Sequence, residues 1–364
     1  MELYIFNRQF EFLGIVDDYN ALIVERNLTN VGKFTLTAEF TFEVFELLSE
    51  GNIFAKSDNV QEAYYICSHE IEEEGTQEKL TVKGFSIENL LARRIVWRQQ
   101  RYDGDIDTVM KSFVKYNVIT PENPKRILPN FSVSPPKTFG ETSEVCSYKP
   151  LVEILESTSL KNDVGWRVLF DINSKEFKFD VFRGEDLSIN QNDKDPVIFS
   201  TEYENVVNQK YVKDSSQFAN MVLVAGAGEG EKRKIELIRD DLSGWERVEM
   251  FVDARDLSDQ DEDGNVISTD KYQKMLKDRG LSKLAEAENV EAFEGEVDSN
   301  SQFIYRKDFD LGDRVTVLNK KWGIVMHPRI TSVTEEYENG ILNVNVEFGT
   351  NKPTLIDTIK RKIN

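Results

Sequence analysis

ITSVTEEYENGILNVNVEF, residues 330–348, sets two alternating runs on either side of Asn339-Gly340. Both central residues of a tight hairpin turn need positive φ, so Asn-Gly between such runs predicts two antiparallel strands in close register. Leu342, Val344, Val346 and Phe348 fall on one face of the second strand. Downstream, Pro353 can open a helix over LIDTIKRKI, whose basic end suits the negative pole of its dipole.

The same arrangement occurs near the N-terminus. AYYICSHEIEE, a turn at GTQ and EKLTVKGF read as a hairpin, followed by Ser86 as N-cap of a short helix, IENLLARRIV. Ile66 and Ser68 correspond to Ile330 and Ser332. Leu80, Val82 and Phe85 are aligned with Leu342, Val344 and Phe348, and the two helices close on RRI and KRKI. Upstream, SEGNIFA from Ser49 takes the place of LGDRVTV from Leu311. A repeated supersecondary unit implies two similar domains in equivalent positions.

Ahead of the first hairpin, Phe34, Leu36, Ala38 and Phe40 alternate with Lys33, Thr35, Thr37 and Glu39, the pattern of a strand with one wet face. Phe42, Phe45 and Leu48 then repeat at helical spacing up to Gly51. Between the copies, DIDTVMKSFVKYNVI reads as a helix, PENPKRILPNFSVSPPKTFG as a proline-rich loop, and PLVEILESTSL precedes GWRVLFDI with EFKFDVF, a strand pair. The expected division is a first unit at 1–98, an inserted α+β domain at 99–200, and a second unit at 201–364. The second unit carries a polar insertion at about 253–300, with a helix over YQKMLKDRGLSKLAEAE.

At 364 residues the chain exceeds what one hydrophobic core usually supports. No apolar run approaches a membrane span, and MELYIFNRQF lacks a signal-peptide pattern, which predicts synthesis in a cytoplasm. With 45 basic and 65 acidic residues the net charge is -20, which repels nucleic acid and argues against a sequence-specific DNA reader. Cys67 and Cys146 form no CxxC, and His69 and His327 lie in no metalloprotease or serine-triad motif.

Several motifs carry possible chemistry. In YRKDFDLGDRVTV, residues 305–317, Asp308, Asp310 and Asp313 surround Leu311-Gly312. Short acidic side chains beside a glycine turn cap nearby amides, and no histidine accompanies them. In DQDEDGNVISTD, Asp259, Asp261, Asp263 and Asp270 fit a calcium loop, with Asn265 offering a carbonyl. Position twelve is Asp instead of the bidentate Glu, and no clear helix precedes the loop, so a solvated turn is the competing reading. Gly226, Gly228 and Gly230 in GAGEGEKRK have hairpin rather than dinucleotide-loop spacing. Arg93, Arg94, Arg98 and Arg101 with Trp97 read as a helix-capping cluster or a surface for an acidic neighbour. Trp166, Trp245 and Trp322 read as core or subunit contacts.

LGIVDDYNALIVERNLTNVGKFTL, VDARDLSDQDEDGN, and DFDLGDRVTV followed by ITSVTEEYENGILNVNVEFG resemble, in that order and over nearly the whole chain, the hub proteins of long non-contractile phage tails and prophages. These are similar to the baseplate hub of contractile tails and to the N-terminal module of tail-associated lysins. The resemblance implies a β-rich α+β fold of two tube-type β-barrel domains with inserted α+β segments. It also implies a homotrimer whose six similar units dock on a hexameric tail tube, part of a DNA conduit at the virion's tail tip, joined to distal tail, fibre or receptor-binding proteins, and without catalysis. Family members with hydrolase or fibre extensions carry them beyond such a module, and this chain ends at Asn364. The competing readings are a calcium-dependent carbohydrate- or receptor-binding module and, behind it, a cell-wall hydrolase using paired carboxylates.

Overall fold

Alternation and turn chemistry favour strands over helices in this chain, and the computed structural model has strand as its commonest element, at 44% against 20% helix. It describes residues 1–349 apart from 76, 261–264, 288, 299–300 and 339. The helix expected over 355–363 and Asn339 of the hairpin turn lie outside the described residues.

Eleven strands form one sheet. In chain order they are β1 (Leu3–Phe6), β2 (Phe12–Val16), β3 (Ala21–Asn27), β4 (Lys33–Glu39), β5 (Ile53–Lys56), β6 (Asn59–Glu74), β7 (Gln77–Ser86), β8 (Val206–Asp214), β9 (Val290–Val297), β10 (Ile330–Glu338) and β11 (Ile341–Gly349). Across the sheet they run β8–β9–β11–β10–β3–β4–β7–β6–β5–β1–β2. No closed barrel forms among the described residues, because β8 and β2 are open ends of this sheet.

The two hairpins match residue for residue. In each, one strand slips by a residue between Ile and Ser, with Cys67 as the extra residue in β6 and Thr331 in β10. Such a bulge pins register in a way that alternation cannot. Beyond it, Ser68 faces Lys83 as Ser332 faces Glu347, and Glu70 faces Thr81 as Thr334 faces Asn345. Leu80 is therefore the counterpart of Val344, Val82 of Val346 and Gly84 of Phe348. This corrects the sequence alignment of Leu80, Val82 and Phe85 with Leu342, Val344 and Phe348. The slide is two residues for Leu80 and Val82, which keeps each on its own face so that the apolar pattern gave no warning, and one residue for Phe85. Phe85 in fact lies on the other face and is exposed.

Upstream equivalence holds on the glycines. Gly51 and Gly312 both have left-handed φ, +88° and +93°. Gly51 N–H donates to Ile66 O at 3.0 Å and Gly312 N–H to Ile330 O at 2.9 Å. In return, Ile66 N–H donates to Asn52 O and Ile330 N–H to Asp313 O. One strand later the match continues, with Phe34 of β4 facing Gly84 and Phe293 of β9 facing Phe348.

The first unit buries Leu22, Val24, Phe34, Leu36, Phe54, Ile66 and Val82 under one sheet face. The second buries Phe199, Phe293, Val317, Val333, Val346 and Phe348, with a small sheet of Ile198–Ser200, Thr316–Asn319 and Ile324–Met326 beside it. Helix α1 (Phe42–Leu47) starts at Thr41, whose Oγ1 accepts from Val44 N–H.

Helix α2 (Ile106–Val114) occurs where periodicity placed it, as do the antiparallel strands Gly165–Asp171 and Glu176–Phe182, and PLVEILESTSL forms a second helix, α3 (Leu151–Asn162). Their core, with Phe113, Leu155, Trp166 and Phe179, also takes Phe6, Ile53 and Tyr65. Those three project from the side of β1, β5 and β6 opposite the first unit's core, to which Ile5, Phe54 and Tyr64 belong. Burial on both faces explains why IFA and AYYI show no alternation. Between β8 and β9 the chain builds a three-stranded sheet of Met221–Ala225, Ile235–Ile238 and Glu249–Asp253. Helix α4 (Thr269–Glu286) packs on it through Tyr272, Met275 and Leu276.

Candidate functional site

Three features stand out: a wet sheet face, a charged cluster where the two units meet, and two unpaired strand edges. The face begins with the alternation of β3 and β4. Ile23 and Glu25 lie beside Thr35 and Lys33, which lie beside Lys83 and Phe85. Across the junction Ile23 faces Glu336, which faces Asn343. Farther on, Glu347 faces Glu294 and Asn345 faces Glu296. None of these side chains is buried. Acids outnumber bases here, and Lys33, Lys83 and Lys210 are each engaged by a carboxylate, Glu25, Glu70 and Glu294 respectively. The surface is acidic, with Ile23 and Phe85 exposed among the polar groups, and among the described residues it carries no free cationic cluster, so it offers phosphates little to hold.

The junction is the pairing of β10 with β3, from Ser332 opposite Asn27 to Glu338 opposite Ala21. Behind it sits a cluster of three bases and three acids. Lys56, at the end of an otherwise apolar strand, reaches Glu335, and its Nζ lies 3.5 Å from Glu62 Oε2. Arg26 Nη2 is 2.8 Å from Glu62 Oε1, and Arg26 Nη1 is 2.7 Å from Asp310 Oδ1. Arg306 Nη2 bridges Glu62 at 2.7 Å and Glu335 at 2.5 Å. Tyr305 donates its hydroxyl to Glu335, and the single hydroxyl proton of Tyr337 is shared between Asp58 at 2.7 Å and Glu335 at 2.9 Å. Burial alone would raise the Glu335 carboxyl, but Lys56, Arg306 and Arg26 hold it well below the usual carboxylate range. Glu62 is lowered against its own burial by Arg26, Lys56 and Arg306.

The third feature is geometric. On β6, Ser68–Glu73 pair with β7 on one side, and among the described residues no backbone hydrogen bond reaches their other side. The outer side of β8 is likewise unpaired.

The structure distributes the residues singled out by sequence as follows. Asp313 accepts from Glu185 N–H at 2.7 Å and Asp310 N–H at 2.8 Å; Asp310 accepts from Leu311 N–H, and Asp308 from Ile304 N–H. All three aspartates serve the backbone around the turn. Burial raises the Asp313 carboxyl. Asp259 pairs with Lys234 at 3.1 Å, Asn265 is exposed, and Asp270 lies in the first turn of α4 after Ser268. Asp261 and Asp263 lie outside the described residues. The Gly226–Gly230 segment connects two antiparallel strands, as its spacing predicts.

The arginine cluster disperses. Arg93 lies over Tyr65, Arg94 donates to Arg126 O, Arg98 meets Glu122 and Arg101 meets Asp103. Trp97 carries Arg126 over its ring at 4.2 Å. Trp166 is core and donates to Thr29 O, Trp322 is half-exposed, and Trp245 is fully exposed.

Sequence reading missed the junction cluster, whose members come from positions 26 to 335. Its one local signal is Glu335 on the core-facing parity of β10, between Val333 and Tyr337.

The fold is that of phage and prophage tail proteins. It is similar to a 43 kDa tail protein of prophage MuSo2 from Shewanella oneidensis, with TM-score 0.57, 11% identity, and coverage of 96% of this chain and 98% of that one. It is similar to a tail protein from Neisseria meningitidis MC58 at TM-score 0.54 and 10% identity, covering 96% and 97%. It is also similar to prophage tail protein gp18 from Listeria monocytogenes EGD-e at TM-score 0.53 and 10% identity, covering 100% and 98%. The chain belongs to the family of Siphovirus ReqiPepy6 Gp37-like proteins, whose model matches residues 2–350. The sequence matches none of the curated proteins. Among the described residues no helix is long and apolar enough to cross a membrane.

Proposed function

We propose that this tail protein is a hub: a homotrimer at the tail tip that docks on the hexameric tail tube, lines part of the DNA conduit and carries distal fibre or receptor-binding components. One observation carries the reading. The four strands β8–β9–β11–β10 and their counterparts β3–β4–β7–β6 occur in the same order within one sheet, head to tail. A head-to-tail contact between like units generates a ring when its rotation closes, and three chains of two units supply six near-equivalent faces for a six-fold partner. In this reading each unit is of the tube type, and its barrel wall is continued by neighbours. The acidic face lines the channel, where DNA slides without being held. The function is mechanical and architectural.

The test is the mass of the purified protein by light scattering, joined with electron-microscopic class averages. Three subunits in a ring with a central channel are expected. A stable two-fold dimer, or a particle with no channel, overturns the reading.

A further inference from the structure

We infer that two of the open edges among the described residues are halves of one interface: the outer edge of β6 over Ser68–Glu73 pairs antiparallel with the outer edge of β8 in a second copy, in a register dictated by the junction already formed inside the chain. This rests on the ring reading above and specifies its subunit contact.

The internal junction is the template. There the last strand of one unit, β10, meets the first strand of the other, β3. The counterpart of β10 is β6, matched through the bulge, and the counterpart of β3 is β8, matched through β4 and β9. Both remaining strands are open. Ile23 faces Thr35 as Lys210 faces Glu294, and Val24 faces Phe34 as Tyr211 faces Phe293. Inside the chain Glu336 faces Ile23 and Glu335 faces Val24. Between copies, therefore, Glu72 faces Lys210 and Ile71 faces Tyr211.

Chemistry on the two edges supports this assignment. Opposite charges directly across a pair of strands favour pairing, and like charges oppose it. The β6 edge presents Glu70, Glu72 and Glu73, all exposed, whereas β8 presents Lys210 and Lys213 before Asp214. Ile71 stands 48% exposed at a core-facing position, the place that buried Glu335 occupies in the other unit. Tyr211, half-buried with its hydroxyl on Glu291, supplies the ring that covers it. A long unpaired edge carrying an exposed isoleucine is a liability unless another strand covers it. The two junctions also differ in chemistry. The internal one holds its buried ions, and its counterpart has Ile71 in the place of Glu335, so the units do not substitute for one another and closure takes two kinds of joint.

The test is cross-linking of the full chain in a Cys67→Ser background. Directly opposed antiparallel residues have Cα atoms roughly 4.5–5.5 Å apart, within disulfide range. Oxidised E72C/K210C is expected to run as a covalent trimer, and E72C/V212C, two residues out of register, is not. Separately, E72K and K210E should each raise the concentration for half-assembly by roughly three- to tenfold, and the double swap E72K/K210E should restore it. A trimer by light scattering that fails to cross-link through 72 and 210, or that cross-links equally through 72 and 212, overturns the register and leaves the hub reading standing. A protein that forms no trimer and no cross-link overturns both.

Discussion

Lys56 of β5 and Glu335 of β10 form an ion pair in which neither side chain has any exposed surface, and the pair ties the first unit to the second. Removing one partner from such a pair strands a charge out of water, at a cost of about 3–5 kcal/mol, whereas replacing both with apolar groups is far milder. Glu335→Ala is expected to lose that amount in urea denaturation. The double variant K56M/E335L should recover most of it. Equal losses in the single and double variants would show that the packing, and not the charge, matters.

Acid should loosen the same joint. Glu62 and Glu335 have lowered carboxyls in the folded chain, so below an ordinary value of 4.5 the unfolded chain binds more protons than the folded one. The stabilisation they confer is complete above that value and is lost as pH falls toward their folded values. Glu88, Glu144 and Asp313 act in the opposite sense, because burial raises each of them. Their contribution falls as pH rises through the carboxylate range and flattens the curve. Urea midpoints measured from pH 7 to pH 3 should drop below about pH 4.5, and the drop should shrink in E62Q/E335Q. A variant curve parallel to that of the unmodified protein would remove these two acids as its cause.

The wet face makes a third prediction, on the channel reading. Duplex DNA should show no measurable affinity for the unmodified protein in fluorescence anisotropy at low salt. The triple variant E294K/S332K/E347K places three cations side by side across β9, β11 and β10 and should bind DNA with an affinity that falls steeply with added salt. Tight binding by the unmodified chain would contradict a lining over which DNA slides.

Much of this was legible in the sequence where the signal is local. Alternation gave β4, β10 and β11, helical spacing gave α1 and α2, and the Ile-x-Ser motif marked both hairpins as copies. The register within β7 and β11 was not legible, because alternation repeats every two residues and only the bulges at Cys67 and Thr331 distinguish the choices. Nor was the joining of the two units into one sheet, since strand order depends on pairing between residues as distant as Ile23 and Glu336. The ion cluster escaped for the same reason. Arg26, Lys56 and Glu62 each look like ordinary surface charges until β10 and the 305–310 turn are set against them.

The paired glycines give the last prediction. Gly312 holds φ at +93°, a region that a residue with a Cβ enters only at a cost of about 1–3 kcal/mol. An added methyl would also stand 3.1 Å from both Leu28 Cδ1 and Phe182 Cε2, where there is little room to yield. At Gly51, with φ at +88°, the methyl would instead collide with the Arg8 guanidinium, a flexible group whose Nη2 now bonds to Tyr65 Oη at 2.8 Å. Gly75, with φ at +69°, has open space around its Cβ position. Gly312→Ala and Gly51→Ala should therefore each lower stability by about 1–3 kcal/mol in urea denaturation. Gly75→Asn should stay within about 0.5 kcal/mol, since Asn tolerates the left-handed region and touches nothing there. If Gly312→Ala unfolds at the same urea concentration as the unmodified chain, the turn relaxes out of its left-handed geometry at no cost. The shared Gly–Ile hydrogen bond would then be a consequence of the two hairpins rather than a constraint that shapes them.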